Sequence, residues 1–257
     1  MELVLEAWLI SSLIMILLWF FYLYKDEPCV VDIGWGGSIG IASFWIYCSA
    51  PNGGFRQSVI LFCVLFWSIR LSSLLLSRLL KGQKDRRYIA LSKYWGKGLW
   101  WKYFLFFQAQ AFSVGLLTIP IILSCLVSDL NWTFFDSLGL LLFLFGISGE
   151  VLADHQMLEF RKNPDNRKKV CEVGLWYYSR HPNYFFEWMI WVSYAVIAMN
   201  HPYGVIGWIS PLAILISILK VTGIPPTEAR MIESKGEAYR EYQRSTSAFI
   251  PMPKRRP

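Results

Sequence analysis

The fold is decided by residues 7–24, which read AWLISSLIMILLWFFYLY and contain no charged side chain. An apolar stretch of this length predicts a helix that crosses the hydrocarbon core of a membrane, for which about 20 residues are needed. Six further segments have the same character, and the predicted spans are about 7–24, 29–50, 58–79, 103–127, 134–154, 184–200 and 203–222. The sequence therefore predicts an all-α, polytopic membrane bundle of seven transmembrane helices.

The composition supports this class and excludes several others. Of the 257 residues, 55% are hydrophobic and 17% are charged, whereas an average soluble domain carries about 25% charged residues. A disordered chain, a coiled coil and a soluble domain with a polar surface are therefore excluded. The five cysteines contain no CxxC pair and the three histidines show no metal-ligand spacing, so we expect neither a disulfide framework nor a metal site.

The basic residues predict the orientation of the bundle. All lysines and arginines except Arg56 and Arg70 fall in the segments 25–28, 78–102, 155–183 and 220–257. With seven spans these four segments lie on one side of the membrane, which the positive-inside rule makes cytosolic. We therefore expect the N-terminus outside and the C-terminus in the cytosol of a bacterial inner membrane or endoplasmic reticulum protein. The net charge of +7 would face membrane lipids, and no nucleic-acid partner is predicted.

Charged residues inside predicted spans are costly and are therefore candidates for function. Glu150 and Asp154 are four residues apart and share one helical face. They could accept hydrogen bonds from a polar cofactor, or they could form a salt-bridged helix end. Asp32 could be functional, or it could pair with Arg70 or a neighbouring helix end. Arg70 and Glu187 complete this set of five charged candidates.

The densest polar stretch is residues 174–187, which read GLWYYSRHPNYFFE and follow five cations between 161 and 169. Pro182 stands where a helix can begin, and the free N–H groups of a first helical turn bind anions. With the cations, this start could seat a pyrophosphate and a further phosphate, although basic loops also bind anionic lipid head groups. Neither a GxGxxG motif nor a P-loop occurs, which excludes a soluble type of nucleotide-binding fold.

Residues 174–187 resemble the C-terminal signature of the membrane steroid 5-alpha-reductase superfamily, and in particular its DUF1295 branch. Similar motifs are DIGWG at 32–36, KDRRY at 84–88, Gln110 and the tail from 224 to 251. The resemblance implies a single membrane domain that uses NADPH to reduce a conjugated C=C bond in a steroid-like or other hydrophobic lipid substrate. Residues 1–135, the apolar half, would then form the lipid cavity, and residues 136–257 would bind the cofactor.

The resemblance also implies cofactor-binding positions, which are Glu150, Asp154, Arg161, Arg180, His181, Asn183, Tyr184, Glu187, Glu228 and Arg230. Two residues depart from the family pattern. Phe186 stands where the family usually has glycine, and Glu150 stands where the steroid enzymes often have asparagine.

Reduction of an enone also needs a hydrogen-bond donor that polarises the carbonyl oxygen, and NADPH cannot supply it. Tyr88 and Asp32 are the candidate catalytic residues, because a phenol or a neutral carboxylic acid can donate inside an apolar cavity. The Gln-Glu pair of the steroid enzymes has no counterpart dipeptide in this sequence.

Two other functions remain open at the level of sequence. Isoprenylcysteine and phospholipid methyltransferases, which bind S-adenosylmethionine, share a similar Arg-His-Pro-x-Tyr stretch. Asn183, Glu187 and the loop cations are better suited to a phosphorylated dinucleotide than to that cofactor. A non-enzymatic lipid-binding protein is the third possibility, and it would leave the polar cluster without a role.

Overall fold

The computed structural model describes residues 2–51, 54–82, 85–129 and 131–254, without the side chain of Arg86. These residues form helices and no β-strand; Ser179 and Ser247 make an isolated bridge. The helices in this part of the chain are α1 (Glu2–Lys25), α2 (Val30–Ser49), α3 (Phe55–Leu80), α4 (Arg86–Trp95), α5 (Leu99–Leu117), α6 (Ile119–Cys125), α7 (Phe134–Lys162), α8 (Leu175–Tyr178), α9 (Pro182–Ala198), α10 (Ile209–Ile216), α11 (Ile224–Lys235) and α12 (Glu237–Ser245).

Five helical segments in the described residues are long and apolar enough to cross a membrane, which fits a multi-pass membrane protein. They are Glu2–Lys25, Phe55–Leu80, Leu99–Cys125, Phe134–Lys162 and Gly204–Lys235. They correspond to five of the seven segments predicted from hydropathy. The other two predicted segments, 29–50 and 184–200, are helical as α2 and α9 but lie outside this set. α9 has only 17 residues, and the four glycines of α2 lower its hydropathy.

The chain divides into two compact units. Unit 1 comprises Met1–Asp136 and Tyr194–Ser210, and unit 2 comprises Ser137–Ser193 and Pro211–Pro257. In unit 1, α1 packs against α5, and α2 packs against both α1 and α3. Small residues allow the close approach of α2 and α3: the Ser68 hydroxyl donates to the Gly36 carbonyl at 2.7 Å, as is common between membrane helices.

Unit 1 contains a buried ion pair between Arg56 at the start of α3 and Asp136, whose side chains are 4% and 0% exposed. The pair is bidentate, with Nε to Oδ1 at 2.7 Å and Nη2 to Oδ2 at 2.9 Å. Two further guanidinium N–H groups, on Nη1 and Nη2, donate to the carbonyls of Asp129 and Asn131, each at 2.6 Å. Every nitrogen of this guanidinium therefore has an acceptor.

The Asp136 carboxylate is equally well satisfied. It accepts from the Thr133 main chain at 2.8 Å and from the Asn200 amide at 2.9 Å. Thr133 in turn donates its hydroxyl to Asn200 at 2.6 Å. A buried charge is tolerated when it is paired and fully hydrogen-bonded. This network therefore ties the start of α3 to the loop before α7 and to the residues after α9.

In unit 2, Gly149 of α7 makes room for the unexpected Phe186 of α9. A Cβ atom at position 149 would lie 2.3 Å from the Phe186 ring. The ring is buried and meets the edge of Phe145 at a centroid distance of 5.2 Å. The large Phe186 side chain is thus accommodated as part of the core between these two helices.

The C-terminal segment, residues 246–252, lies along residues 178–180 of unit 2. The Arg180 N–H donates to the Ser247 carbonyl at 2.8 Å, and the Met252 N–H donates to the Tyr178 carbonyl at 3.0 Å. The Ser179 hydroxyl donates to the Phe249 carbonyl at 2.8 Å. These bonds hold the segment on the short stretch that joins α8 to α9.

Candidate functional site

The first polar cluster lies in unit 1, where α4 begins. Asp85 is the N-cap of this helix and accepts from the Arg87 N–H at 2.9 Å, as N-cap aspartates commonly do. The cap places Arg87 and Tyr88 in the first turn. From there the Tyr88 hydroxyl donates to Asp32 Oδ1 at 2.7 Å, and Arg87 Nη2 donates to Asp32 Oδ2 at 2.7 Å. Lys84, in the predicted KDRRY motif, lies outside the described residues.

The structure therefore brings the two predicted catalytic residues into one hydrogen bond. Burial raises the pKa of the Tyr88 phenol well above its ordinary value, and the neighbouring Asp32 carboxylate raises it further. The pKa of Arg87 is also raised: burial opposes its charge, but its bonds and charges with Asp85 and Asp32 prevail. Asp32 accepts hydrogen bonds from both Arg87 and Tyr88. Of the two predicted catalytic residues, Tyr88 is therefore the one that carries a proton to donate.

Aromatic side chains of α1 and α5 hold α4 in place. The Tyr103 hydroxyl donates to the Tyr88 carbonyl at 3.2 Å and is 2.8 Å from the Ser92 hydroxyl. The Tyr103 ring also contacts Tyr22 of α1 at a centroid distance of 4.7 Å. Tyr88 thus sits in an apolar, tightly packed cluster with its hydroxyl directed to Asp32.

The second polar cluster lies in unit 2 and centres on Glu228 of α11. Glu228 Oε1 accepts from Arg180 Nε at 2.7 Å and lies 3.1 Å from His181 Nε2. Gln243 of α12 donates its amide to Oε2 at 2.7 Å, and the Tyr239 hydroxyl donates to Oε1 at 3.4 Å. Four side chains, two from the stretch before α9 and two from α12, thus converge on one carboxylate. We call these five residues the Glu228 network.

Arg180 makes further bonds that fix it in the same place. Its Nη1 donates to the carbonyls of Gln243 at 3.0 Å and Thr246 at 2.5 Å. Tyr242 holds α12 against the same stretch, because its hydroxyl donates to the Trp176 carbonyl and to the Ser179 carbonyl, the latter at 3.2 Å. Burial raises the pKa of the Tyr242 phenol, which therefore remains a donor. Arg180 and Glu228, both predicted to bind a cofactor, bind each other and the C-terminal part of the chain.

The predicted residues of α9 lie beside this network. The Tyr184 ring stacks on His181, with centroids 5.3 Å apart and planes 5° from parallel, and its hydroxyl is 3.4 Å from the Thr227 hydroxyl. Glu187 accepts from Trp191 Nε1 at 2.9 Å. Asn183 is half-buried, and its amide forms no hydrogen bond within the described residues.

The other predicted positions of unit 2 lie on α7 and α11. Glu150 is 7% exposed, Asp154 one turn later is half-buried, and Arg161 in the last turn of α7 is exposed. Arg230 on α11 is half-buried. The structure thus joins Arg180, His181, Tyr184 and Glu228 in one cluster and places the remaining predicted residues on the same unit.

Sequence reasoning missed several members of these clusters. Arg87, the partner of Asp32, was not singled out, nor were Tyr239, Tyr242 and Gln243. Two of the three α12 residues did leave a signal: Tyr239 and Tyr242 recur at helical spacing in an otherwise charged segment, which is typical of a helix that buries one face. Arg87 stood only within the KDRRY motif, where nothing set it apart from the neighbouring Arg86.

The long apolar helices of the described residues fit a helical multi-pass membrane protein, and each unit carries one polar cluster. The family described as "Protein of unknown function (DUF1295)" matches residues 18–246, and the chain belongs to that family. A relative in Schizosaccharomyces pombe (strain 972 / ATCC 24843), "Uncharacterized protein C594.04c", is 24% identical over 223 residues. The match covers 76% of this chain and 63% of that relative, so this chain spans less than two thirds of the relative's length. No solved structure matches the chain significantly.

Proposed function

We propose that this protein is a membrane-embedded reductase that uses NADPH to reduce a C=C bond conjugated to a carbonyl in a hydrophobic lipid. The Glu228 network carries the proposal. The side chains of Arg180 and Glu228 are only 10% and 13% exposed, and a buried cluster of interacting charged groups is a candidate functional site. The network holds residues 180–184, which include the first residues of α9, in one arrangement. The groups that bind a cofactor must be fixed in position in this way.

The residues around this network suit a phosphorylated dinucleotide. Asn183 and Glu187 lie one helical turn apart on α9, and an amide and a carboxylate can bind a carboxamide or ribose hydroxyls. Tyr184 and Arg230 offer an aromatic face and a cation, and Arg161 offers a second cation at the end of α7. In this proposal Arg180, His181 and Glu228 position these groups.

NADPH, when bound, supplies the hydride. The protein must hold the lipid, exclude water and polarise the substrate carbonyl. Tyr88 is suited to the last task because its raised pKa keeps the phenol protonated. To donate to a substrate oxygen, the Tyr88 hydroxyl gives up its hydrogen bond to Asp32 and forms one to that oxygen. Asp32 keeps Arg87 as its ionic partner. The charge of Asp32 therefore stays paired throughout.

The proposed topology has seven spans, with the N-terminus outside and the C-terminus in the cytosol. We expect single cysteines introduced near residues 90, 165 and 245 to react with a membrane-impermeant maleimide only after the membrane is permeabilised and the reagent reaches the cytosolic side. A cysteine near residue 131 should react in intact cells or sealed vesicles. Labelling of the first three positions from outside would contradict the orientation.

Cofactor binding tests the proposal directly. Purified protein in nanodiscs should bind NADPH, and Asn183→Ala and Glu187→Ala should each weaken binding roughly 10-fold to 100-fold, because a lost buried hydrogen bond costs about 1–3 kcal/mol. Isothermal titration calorimetry gives the affinities. Asn131→Ala is the control, since this exposed side chain lies in unit 1 and its loss should change nothing.

The same titration separates the rival function. If the protein bound S-adenosylmethionine and did not bind NADPH, the proposal of a reductase would be wrong and a methyltransferase would be the better assignment. Unchanged NADPH affinity in both variants would remove Asn183 and Glu187 from the site.

A further inference from the structure

The ammonium group of Lys254 lies among three side chains, two residues after the C-terminal segment. Its Nζ atom is 4.6 Å from the centroid of the Tyr177 ring and 5.9 Å from the centroid of the Tyr242 ring. The same atom forms a salt bridge with Glu172. Aromatic faces within about 6 Å attract a cation, and proteins use such sites to bind alkylammonium groups. We call Glu172, Tyr177 and Tyr242 the Lys254 site, because they converge on this one charge.

Both rings of the Lys254 site are held by contacts that do not involve Lys254. The Tyr242 ring is buried, and its hydroxyl donates to the Trp176 carbonyl. The Tyr177 ring meets the Tyr178 ring edge-on, at a centroid distance of 5.2 Å. The two aromatic faces should therefore stay in place when Lys254 leaves the site.

The main chain does not hold Lys254 in this site. The last main-chain bond of the C-terminal segment runs from the Met252 N–H to the Tyr178 carbonyl at 3.0 Å. In the described part of the chain, Pro253 and Lys254 form no main-chain hydrogen bond. The side chains of Lys254 and Glu172 are 23% and 42% exposed, so solvent reaches both. Another cation can therefore replace Lys254 without breaking the bonds that fix the C-terminal segment.

The two stretches that carry the site also carry exposed apolar side chains. These are Val173, Tyr178, Ile250 and Met252. Residues 172–178 lie between α7 and α9, outside the five long apolar helical segments. Exposed tyrosine and aliphatic side chains in such a position are typical of the interface between membrane and water, where lipid head groups lie. The surroundings therefore fit a cation that is attached to hydrocarbon chains.

We propose that the Lys254 site binds the ammonium group of phosphatidylethanolamine from the adjacent membrane leaflet, and that Lys254 is the internal occupant which the lipid displaces. The ethanolamine head group carries a primary ammonium, with the same charge and the same N–H donors as a lysine side chain. It can therefore take over the contacts that Lys254 makes with the carboxylate and the two rings. The inference does not depend on the proposed reductase, because it concerns neither the cofactor nor the reacting bond.

The experiment measures lipid binding to the purified, delipidated full chain by titration and native mass spectrometry in detergent. Lys254→Ala should raise the affinity for phosphatidylethanolamine, by roughly 10-fold if Lys254 occupies the site nine-tenths of the time, because the internal competitor is gone. A lysine that only fastened the end of the chain would give no such gain. Lys254→Met, which keeps most of the side-chain length and loses the charge, should raise the affinity in the same way.

The carboxylate is tested without the competitor. In the double variant Glu172→Gln/Lys254→Ala, binding of phosphatidylethanolamine should be about 10-fold weaker than in Lys254→Ala, the scale of one lost charge-assisted hydrogen bond. Lys162→Ala is the matched control, since this lysine pairs with Glu159 elsewhere in unit 2, and it should bind the lipid as the wild type does. If Lys254→Ala and Lys254→Met bind phosphatidylethanolamine no better than the wild type, the proposal is wrong.

Other ligands identify the source of the ammonium group. Phosphatidylglycerol has no ammonium and should gain no affinity from Lys254→Ala; an equal gain would overturn the proposal. Phosphatidylcholine has no N–H to donate to Glu172 and should bind Lys254→Ala more weakly than phosphatidylethanolamine does. Glycerophosphoethanolamine, which lacks the acyl chains, should also bind more weakly, because the exposed apolar side chains then have no partner. If it bound as tightly as the lipid, the ligand would be a soluble amine and the assignment to a membrane lipid would fail.

Discussion

Replacing Asp136 with alanine is expected to lower the free energy of unfolding by about 3–5 kcal/mol, which is the cost of leaving a buried ion without its partner. The guanidinium of Arg56 is 4% exposed, so water cannot take over the role of the lost carboxylate. Thr133 and Asn200 would lose an acceptor at the same time. Thermal and denaturant unfolding of the detergent-solubilised protein measure the change.

A double variant provides the control for this prediction. In Arg56→Met/Asp136→Leu both charges are gone, and apolar replacement of a buried pair is often neutral or stabilising. The double variant should therefore be clearly more stable than Asp136→Ala alone. If Asp136→Ala unfolds within about 1 kcal/mol of the wild type, the pair is not buried in solution as it is here.

Replacing Tyr88 with phenylalanine is expected to lower turnover about 100-fold or more, the usual scale for loss of a general acid. The change removes only a hydroxyl, and Asp32 keeps its bond to Arg87. The affinity for NADPH should not change, because no predicted cofactor residue lies in unit 1. Oxidation of NADPH with a panel of hydrophobic enones gives kcat and KM for both proteins.

Tyr22→Phe is the matched control, since Tyr22 is buried in the same aromatic cluster but does not bond Asp32. It should leave turnover near the wild-type value. A fall in kcat and in kcat/KM together would place the Tyr88 interaction in the transition state. If Tyr88→Phe and Asp32→Asn both kept full turnover on an enone that the wild type reduces, neither residue would be the acid.

Hydropathy located the five long apolar helical segments because the length and polarity of a membrane segment are local properties of the sequence. The predicted segment 58–79 falls inside the helix Phe55–Leu80, and 134–154 falls inside Phe134–Lys162. The segment 103–127 was predicted as one span, and α5 and α6 occupy it with a junction at Thr118. Pro120 in the first turn of α6 explains that junction, because proline lacks the N–H that a continuous helix would use.

The hydrogen-bond and ion-pair partners of the charged side chains could not be predicted in the same way. Asp32 and Glu228 were both recognised as candidates, but their partners lie 55 and 48 residues away in sequence. Which of several nearby cations meets which carboxylate depends on how the helices pack. Arg56 and Asp136 both lie outside the four basic segments, yet nothing in the sequence indicated that they bind each other.

The bonds between Arg180 and the C-terminal segment also determine when unit 2 can finish folding during translation. Ser179 leaves the ribosome 70 residues before Phe249, whose carbonyl it will bond, and Arg180 leaves 66 residues before Thr246. During that interval α8 and the start of α9 have been synthesised but lack their acceptors. Unit 2 therefore completes these polar contacts only after translation has passed residue 249. In a chain held on a ribosome that has stalled before the C-terminal segment is made, Arg180 still lacks its main-chain acceptors.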